Sequence, residues 1–541
     1  MRKRKIYQKG ICLGMVAGLA LATCFSSRAA VSAAPPSYLK SATYVSDAWV
    51  INFWNTESDH MDAELAQIAA DGFNSIILVI PWREFQPGTS PVSYNQYAFD
   101  KLDRVMRAAE DHGLWVELRV SYTWDYCGKE ESRLRFRELI GDEKLERAWL
   151  EYVEKLYTVA GAYPNFYGGF ITWEDFWNYM EDSTHFGTGL DSRNEAQRSG
   201  FQDYLKRYYT LDEVMEYYQP VKPFLSYEDI YMPQKTSPAY KLLFEFYDNY
   251  LTDLLHAAQQ VFPDLSMEVR LDVDPVNGKN GGKVGAHHFR TFPCGTSSYT
   301  SLMYSVSMGQ ENKGEKISAA TALAAMDSQL NVVKMYNGGK PIYIDQLLYT
   351  DSTEEFANNA QLEESERELF ITSLPGILRK YTNGYGVWSY WNYTNNPVYN
   401  SQFALDGLGW ETSRANAVER DGSRQMRIEG GGRIGQGIGS RIDGKTSHSN
   451  YVSLTVDSDA PATLYVKLGN VTKEVQVNGN KQIDLNFGRL GYDKLELRAE
   501  GEVYVDNVNV YNFIQDGLLH DLENNELACM DAIRTLNDSL N

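Results

Sequence analysis

From residue 45 to about 395, apolar positions switch repeatedly between two periods. Short unbroken runs alternate with longer stretches in which apolar residues recur every third or fourth position. The unbroken runs read as strands buried on both faces, as in a parallel sheet covered by helices. They are WVINFW (49–54), FNSIILVIPW (73–82), LWVELRV (114–120), FYGGFITW (166–173), LSMEVRLDV (265–273), YTSLMYSVSM (299–308), PIYIDQLLY (341–349) and YGVWSYW (385–391). The first is followed by a helix with Met61, Leu65, Ile68 and Ala69 at apolar positions. Tyr97 to His112 puts Phe99, Leu102, Val105, Met106 and Ala109 on one side and is closed by Gly113. Further helices are expected over 143–161, 194–262 with a break near Pro220–Pro233, 315–336 and 361–381. Eight strands alternating with helices predict a closed (β/α)8 TIM barrel over 45–400. No Gly-rich dinucleotide or phosphate loop follows any run, which argues against an open doubly wound sheet.

Around residue 403 the helical period fades. TLYVKLGN, KEVQVNG, KQIDLNF, KLELRAE and EVYVDNVNVY alternate with Asn-Gly and Gly-rich turns, predicting an antiparallel β-sandwich over 405–512. Residues 517–541 read as a short amphipathic helical tail with Leu522, Leu527, Met530, Ile533 and Leu536 on one face. If the interface between barrel and sandwich is small, a chain ending near 403 is expected to fold alone.

The first residues are targeting sequence rather than fold. MRKRK precedes the apolar stretch ICLGMVAGLALATC, and Val31-Ser32-Ala33 forms a small-residue cleavage site, so residues 1–33 are expected to be a signal peptide. The alternative is a lipid anchor at Cys24, after Leu21-Ala22-Thr23. Either implies a secreted or cell-surface protein. No later stretch approaches the ~20 apolar residues of a membrane span. The formal net charge of −21 argues against nucleic acid and anionic lipid as partners, since phosphate binding needs a basic face. Cys127, Cys294 and Cys529 are too dispersed for a disulfide framework, and no Cys/His cluster has zinc spacing. Neither metal nor cofactor is expected.

Aromatic residues make up 13% of the chain, with 37 Tyr and 11 Trp, which suits grooves that stack on sugar rings. Parallel barrels carry their chemistry at the carboxyl ends of the strands. There the fourth strand offers Glu174 and Asp175, the seventh Asp345, and the eighth Trp388 and Trp391. Two carboxylates facing each other between aromatic walls are what glycosidic-bond cleavage requires.

The run Pro81-Trp82-Arg83-Glu84-Phe85-Gln86-Pro87-Gly88, followed by Tyr97, Phe99, Leu102-Asp103 and His112-Gly113-Leu114, resembles the second-strand region of the clan-A (β/α)8 glycoside hydrolases. FQDYLKRYYTLDEVMEYY (201–218) is similar to the stretch after the acid/base strand in that clan's β-galactosidase family. The resemblance covers roughly 45–395. It implies that Glu174 is the acid/base, with Trp173 where the clan has Asn. It also implies a nucleophilic Glu ending strand seven, where the natural register puts Gln346, with Asp345 one place earlier. Adjacent strand residues point to opposite faces unless a bulge intervenes. Trp388 matches the clan's substrate-platform Trp. Gly407-Leu408-Gly409-Trp410, Arg433-Ile434-Gly435-Gln436 and Tyr504-Val505-Asp506-Asn507-Val508 make the sandwich resemble a carbohydrate-binding jelly roll.

The function expected is an exported glycoside hydrolase cleaving a β-linked oligo- or polysaccharide. Glu174 and Asp345 are the catalytic candidates, with Asp175, Asp272 and Asp274 as other carboxylates of the same strand ends. Trp82, Trp124, Trp173, Trp177, Tyr304, Gln346, Trp388 and Trp391 are the substrate-binding candidates. Gln346 motivates an alternative, a non-catalytic carbohydrate-binding protein on a degenerate barrel. A cell-envelope adhesion protein is a third reading.

Overall fold

The computed structural model describes residues 34–57, 60–122, 131–172, 189–269, 276–277, 283–284, 297–301, 316–349, 361–438, 449–514 and 517–541. Eight parallel strands close into a barrel. They are β1 (Leu39–Thr43), β2 (Ser75–Pro81), β3 (Trp115–Tyr122), β4 (Phe166–Thr172), β5 (Ser266–Val269), β6 (Ser298–Ser301), β7 (Ile342–Leu347) and β8 (Thr382–Val387). Each pairs with the next in chain order, and β8 returns to β1 with Leu39 opposite Gly384. This is the TIM barrel the alternating pattern predicts.

Helices α1 (Met61–Ala70), α2 (Gln96–Asp111), α3 (Glu143–Ala160), α4 (Tyr240–Ala258), α5 (Ala319–Tyr336) and α6 (Arg367–Tyr381) surround it. Their starts are chemically marked. Asp142 accepts hydrogen bonds from the amides of Lys144 and Leu145 at the head of α3, and Ser318 accepts one from Thr321 at the head of α5. Three shorter helices, Leu190–Arg198, Phe201–Tyr208 and Leu211–Tyr218, precede α4.

The first strand is not WVINFW. It is Leu39–Thr43, and Val50–Phe53 forms one helical turn. The apolar run is buried because the turn packs over the strand ends: Trp54 donates its indole N–H to the Val79 carbonyl at 2.8 Å, and Trp49 packs on Tyr122 and Trp388. An apolar run reports burial and does not by itself choose strand over helix. The true strand, LKSAT, hides behind its polar residues. Lys40 is buried and donates to the Asn537 carbonyl at 3.1 Å and to Asn541 at 2.6 Å.

Asn537 belongs to α7 (Met530–Ser539) and Asn541 lies just past it; α7 comes after the sandwich in sequence but completes the barrel. The helix following strand eight should cover the seam between strands eight and one. Here α7 does so. Asn537 accepts from Tyr385 on β8 at 2.6 Å and from Lys40 on β1, and its amide donates to the Asp71 carbonyl at 3.0 Å. Arg534 on α7 grips Asp71, at the end of α1, at 2.8 and 3.0 Å. The residues before α7 run beside the end of β8: Leu518 N–H donates to the Ser389 carbonyl.

Between β8 and α7 lies a nine-stranded antiparallel sheet. β9 (Tyr393–Asn395) joins β17 (Val503–Ile514), and β10 (Glu411–Arg420) joins β11 (Ser423–Gly437). β12 (Asn450–Asp457), β13 (Ala462–Leu468), β14 (Val471–Val477), β15 (Lys481–Gly488) and β16 (Lys494–Glu500) complete the order β14-β13-β16-β11-β17-β12-β15. The sheet curls until its edge strands β14 and β15 lie together, enclosing Val452, Leu454, Leu464, Val466, Leu497 and Val505. β11 makes the curl by changing partners. Met426–Ile428 pair with β17 and Arg433–Gly437 with β16. Between them stand Gly430–Gly432, where Gly431 has φ 77° and a Cβ on Gly432 would lie 2.5 Å from the Arg414 carbonyl.

The sheet is bound closely to the barrel. Arg83 stacks its guanidinium 3.9 Å above the Tyr399 ring, and Ser401 donates to the Asn55 carbonyl at 2.6 Å. Asn396 bonds both Asn52 and Asn509. Residues 35–541 form one compact unit.

Candidate active site

The barrel interior is built from the alternate residues of each strand. Leu39, Ile77, Phe170, Tyr299 and Tyr343 form its apolar filling, with the Phe170 and Tyr299 rings stacked at 4.3 Å. β8 makes room for Tyr343 by presenting glycine. A Cβ on Gly384 would meet the Tyr343 ring at 2.4 Å, and one on Gly386 would meet Ile77 at 2.7 Å.

Polar groups are set into this filling. Glu117 on β3 is fully buried and accepts hydrogen bonds from Tyr299 at 2.7 Å and Ser41 at 3.1 Å. Ser41 also bonds Ser75 and Tyr343. Burial pushes the Glu117 carboxyl up to about 7; the hydroxyl partners oppose that shift and the negative charge of Asp345 adds to it. Glu268 on β5 sits beside Thr172 and Tyr299 in register and is likewise buried. Arg119, two residues after Glu117, reaches Thr172 at 3.3 Å and lies over the Tyr122 ring.

Asp345 is 1% exposed near the carboxyl end of β7. From Tyr343, alternation turns it inward, and its charge is felt at both Glu117 and Tyr299. A bulge follows at once. Ile344 pairs with Thr300 and Tyr385, whereas Gln346 pairs with Ser301 and Leu347 with Val387. Both neighbouring strands are therefore one residue short at Asp345–Gln346. This irregularity releases the pair from strict alternation. Gln346 is also buried, 4% exposed.

Trp388 follows β8 directly. It meets Trp49 edge-on at 5.8 Å, and Trp49 contacts Tyr122 and Tyr393. An aromatic wall thus stands at the carboxyl ends of β3 and β8, the end at which Asp345 lies. The chain leaves β4 at that same end, at Thr172, two residues before Glu174.

Three predicted binding tryptophans are packed in the core, Trp388 (7% exposed) among them; it stays a candidate only because it stands at the barrel end that carries Asp345. Trp82 is fully buried, donates to Gln86 at 2.7 Å and packs on Phe136 and Tyr152. Trp391 is held by the segment leading to α7, donating to Asn524 at 3.0 Å and packing on Tyr390 and His520. Trp124, Trp173, Glu174, Asp175, Trp177, Asp272, Asp274 and Tyr304 lie outside the described residues. Glu117 and Glu268 are interior carboxylates, ahead of the strand ends where the sequence places the candidate chemistry. Their signal was available: each is a charged residue at an inward-alternating position of an apolar strand, in WVELRV and SMEV. Among the described residues no group of His, Cys, Asp and Glu is arranged to hold a metal, and no helix is long and apolar enough to cross a membrane.

No family model matches the chain, and no curated protein matches it. Solved structures do. A single Glu-to-Ala variant of GH5_18 from Streptomyces cattleya, in complex with Manβ1-4GlcNAc, aligns over 66% of this chain and 72% of its own, with 15% identity and a TM-score of 0.43. The exo-β-1,4-mannosidase Op5Man5 from Opitutaceae bacterium strain TAV5 aligns over 66% and 52%, with 11% identity and a TM-score of 0.38. The β-galactosidase from the psychrophilic Marinomonas ef1 aligns over 65% and 54%, with 8% identity and a TM-score of 0.45.

Proposed function

We propose that this chain is an exported glycoside hydrolase acting on a β-linked oligo- or polysaccharide. Glu174 is the acid that protonates the leaving oxygen, and Asp345 the nucleophile or the base for water. The observation that carries the reading is Asp345 itself. A buried carboxylate, turned inward at the carboxyl end of β7 and followed by a bulge, shares its end of the barrel with Trp388. A developing oxocarbenium charge needs an anion held in low dielectric, where its field is little screened. Trp388 supplies a flat apolar face for the sugar's C–H groups. Gln346 contributes an amide to hydrogen-bond a sugar hydroxyl.

Gln346 also favours a second reading, a barrel that binds sugar without turning it over. Five proteins separate the two on one panel of aryl β-glycosides: wild type, Glu174→Gln, Asp345→Asn, Gln346→Ala and Gln346→Glu. The hydrolase reading expects an active wild type, loss in the first two variants and a smaller loss in the third. An inert wild type that gains weak activity through Gln346→Glu supports the binding protein.

A further inference from the structure

The junction between barrel and sheet holds a cleft of about 340 Å³, within the size range of small-molecule sites. One wall comes from the segments that follow β1 and β8, including Asp47, Asn52 and Asn396. The other comes from β12, β15 and β17. On β17 four alternate residues, Asn507, Asn509, Tyr511 and Phe513, line it together.

The lining combines three features. The first is an aromatic platform. Tyr511 stacks on Tyr451 at 5.2 Å, with planes 18° apart, and Phe513 packs edge-on against both. Phe513 is 43% exposed, a large apolar surface for a strand residue to present to water. The second is a rigid amide floor. Asn396 donates to Asn509 at 2.7 Å, its backbone N–H donates to Asn52 at 3.0 Å, and its side-chain oxygen accepts from Val510 N–H at 3.1 Å. The third is a rim of acceptors, Asp47, Glu57 and Asp484, with Asp484 fixed by the Tyr511 hydroxyl at 2.6 Å. Among the described residues that line the cleft, none is Lys or Arg.

We propose that this cleft is a second saccharide site, taking a neutral β-linked chain across the barrel–sheet junction, apart from the catalytic mouth. Phe513 and Tyr511 stack on the sugar's C–H face, while the exposed Gln482 and the rim carboxylates bond its hydroxyls. Glu57 is paired with Arg104 at 3.4 Å, but uronic-acid or sulfated chains would still set their charge against Asp47 and Asp484, with no Lys or Arg among the described lining residues. The cleft is set apart from Asp345 by packed rings: Trp49, two residues after Asp47, meets Trp388 edge-on, and Tyr393, beside Thr394, packs on Trp49. A chain held here keeps the polymer beside the barrel mouth and raises its effective concentration there.

The β linkage rests on the proposed function; the site itself rests on the cleft and is read by binding, so it stands or falls separately from hydrolysis. The full chain is run in native gels containing glucomannan, hydroxyethylcellulose, xylan or, as the anionic control, polygalacturonate. Wild type and Asp345→Asn are run in parallel so that turnover does not distort retardation. The expected result is retardation by at least one neutral polymer and none by polygalacturonate. Phe513→Ala should weaken it about tenfold or more, as loss of one stacking ring does elsewhere, and Phe513→Tyr should restore it. Gln482→Ala, at an exposed lining position, is the second variant, read the same way should Phe513→Ala unfold. Retardation by no neutral polymer, or retardation unchanged in both variants, overturns the proposal.

Discussion

The residue that governs the interior is Glu117. A carboxyl buried among Tyr299, Ser41 and Tyr343 is held to about 7, against 4.5 for the ordinary group. The folded state therefore binds a proton that the unfolded state has released over that interval. The stabilisation is fully present below about 4.5 and is lost as pH rises through about 7, by about 3 kcal/mol in all. Glu117→Gln removes this dependence. Thermal melts across this interval should show the variant gaining on wild type as pH rises; a constant difference would contradict the assignment. Gly384 gives a second prediction. An added methyl would strike the Tyr343 ring, which is fixed by Tyr299 and Ser41, so Gly384→Ala should lower stability by about 2 kcal/mol in denaturant titration. At this scale the sequence shows that Asp345 lies in an apolar strand. It does not show the bulge, because pairing register depends on two other strands. It equally shows Glu117 in WVELRV, but a search confined to strand ends does not reach it.

Elements were legible where their pattern was strong. α2 and α3 run within a residue of their expected bounds, because each has one apolar face, Gly113 closes α2 and Asp142 caps α3. β1 was not legible: its Lys40 is satisfied by Asn537 and Asn541, nearly five hundred residues later, a contact no local window contains. The expected tail helix narrows to α7, and its work is to close the barrel. Its anchor is Asp71. Burial pushes that carboxyl up, but hydrogen bonds from His520, Tyr390, Arg534 and Gln67 outweigh burial and hold it at about 2. The stabilisation is present above 3.8 and is lost as pH falls through about 2. Arg534→Ala removes two of the bonds and should cost about 2 kcal/mol at neutral pH, somewhat less than a fully buried pair because Arg534 is partly exposed. Acid unfolding should then begin at higher pH than in wild type. A variant with unchanged acid midpoint would show that His520 and Tyr390 suffice.

Across the whole molecule, barrel and sheet are not separable in the way a simple tandem arrangement would be. The sheet interrupts the barrel between β8 and its closing helix, and Arg83, Asn55 and Asn52 bind it on the barrel side. A chain ending near 403 therefore lacks α7, exposes Lys40, Tyr385 and Asp71, and is expected to be insoluble or to melt without cooperativity; a soluble, cooperatively folded fragment would contradict this. Seven of the eight strands were legible from sequence, as unbroken apolar runs set off by helices that carry their own period. The late return of the chain was not, since nothing in residues 517–541 names the surface they cover. The central claim concerns what this closed barrel does with Asp345. Initial rates on an aryl β-glycoside, at matched folding by circular dichroism, test it most directly. An active wild type whose turnover falls about 100-fold or more in Asp345→Asn is the predicted result. An active wild type that tolerates Asp345→Asn would contradict it.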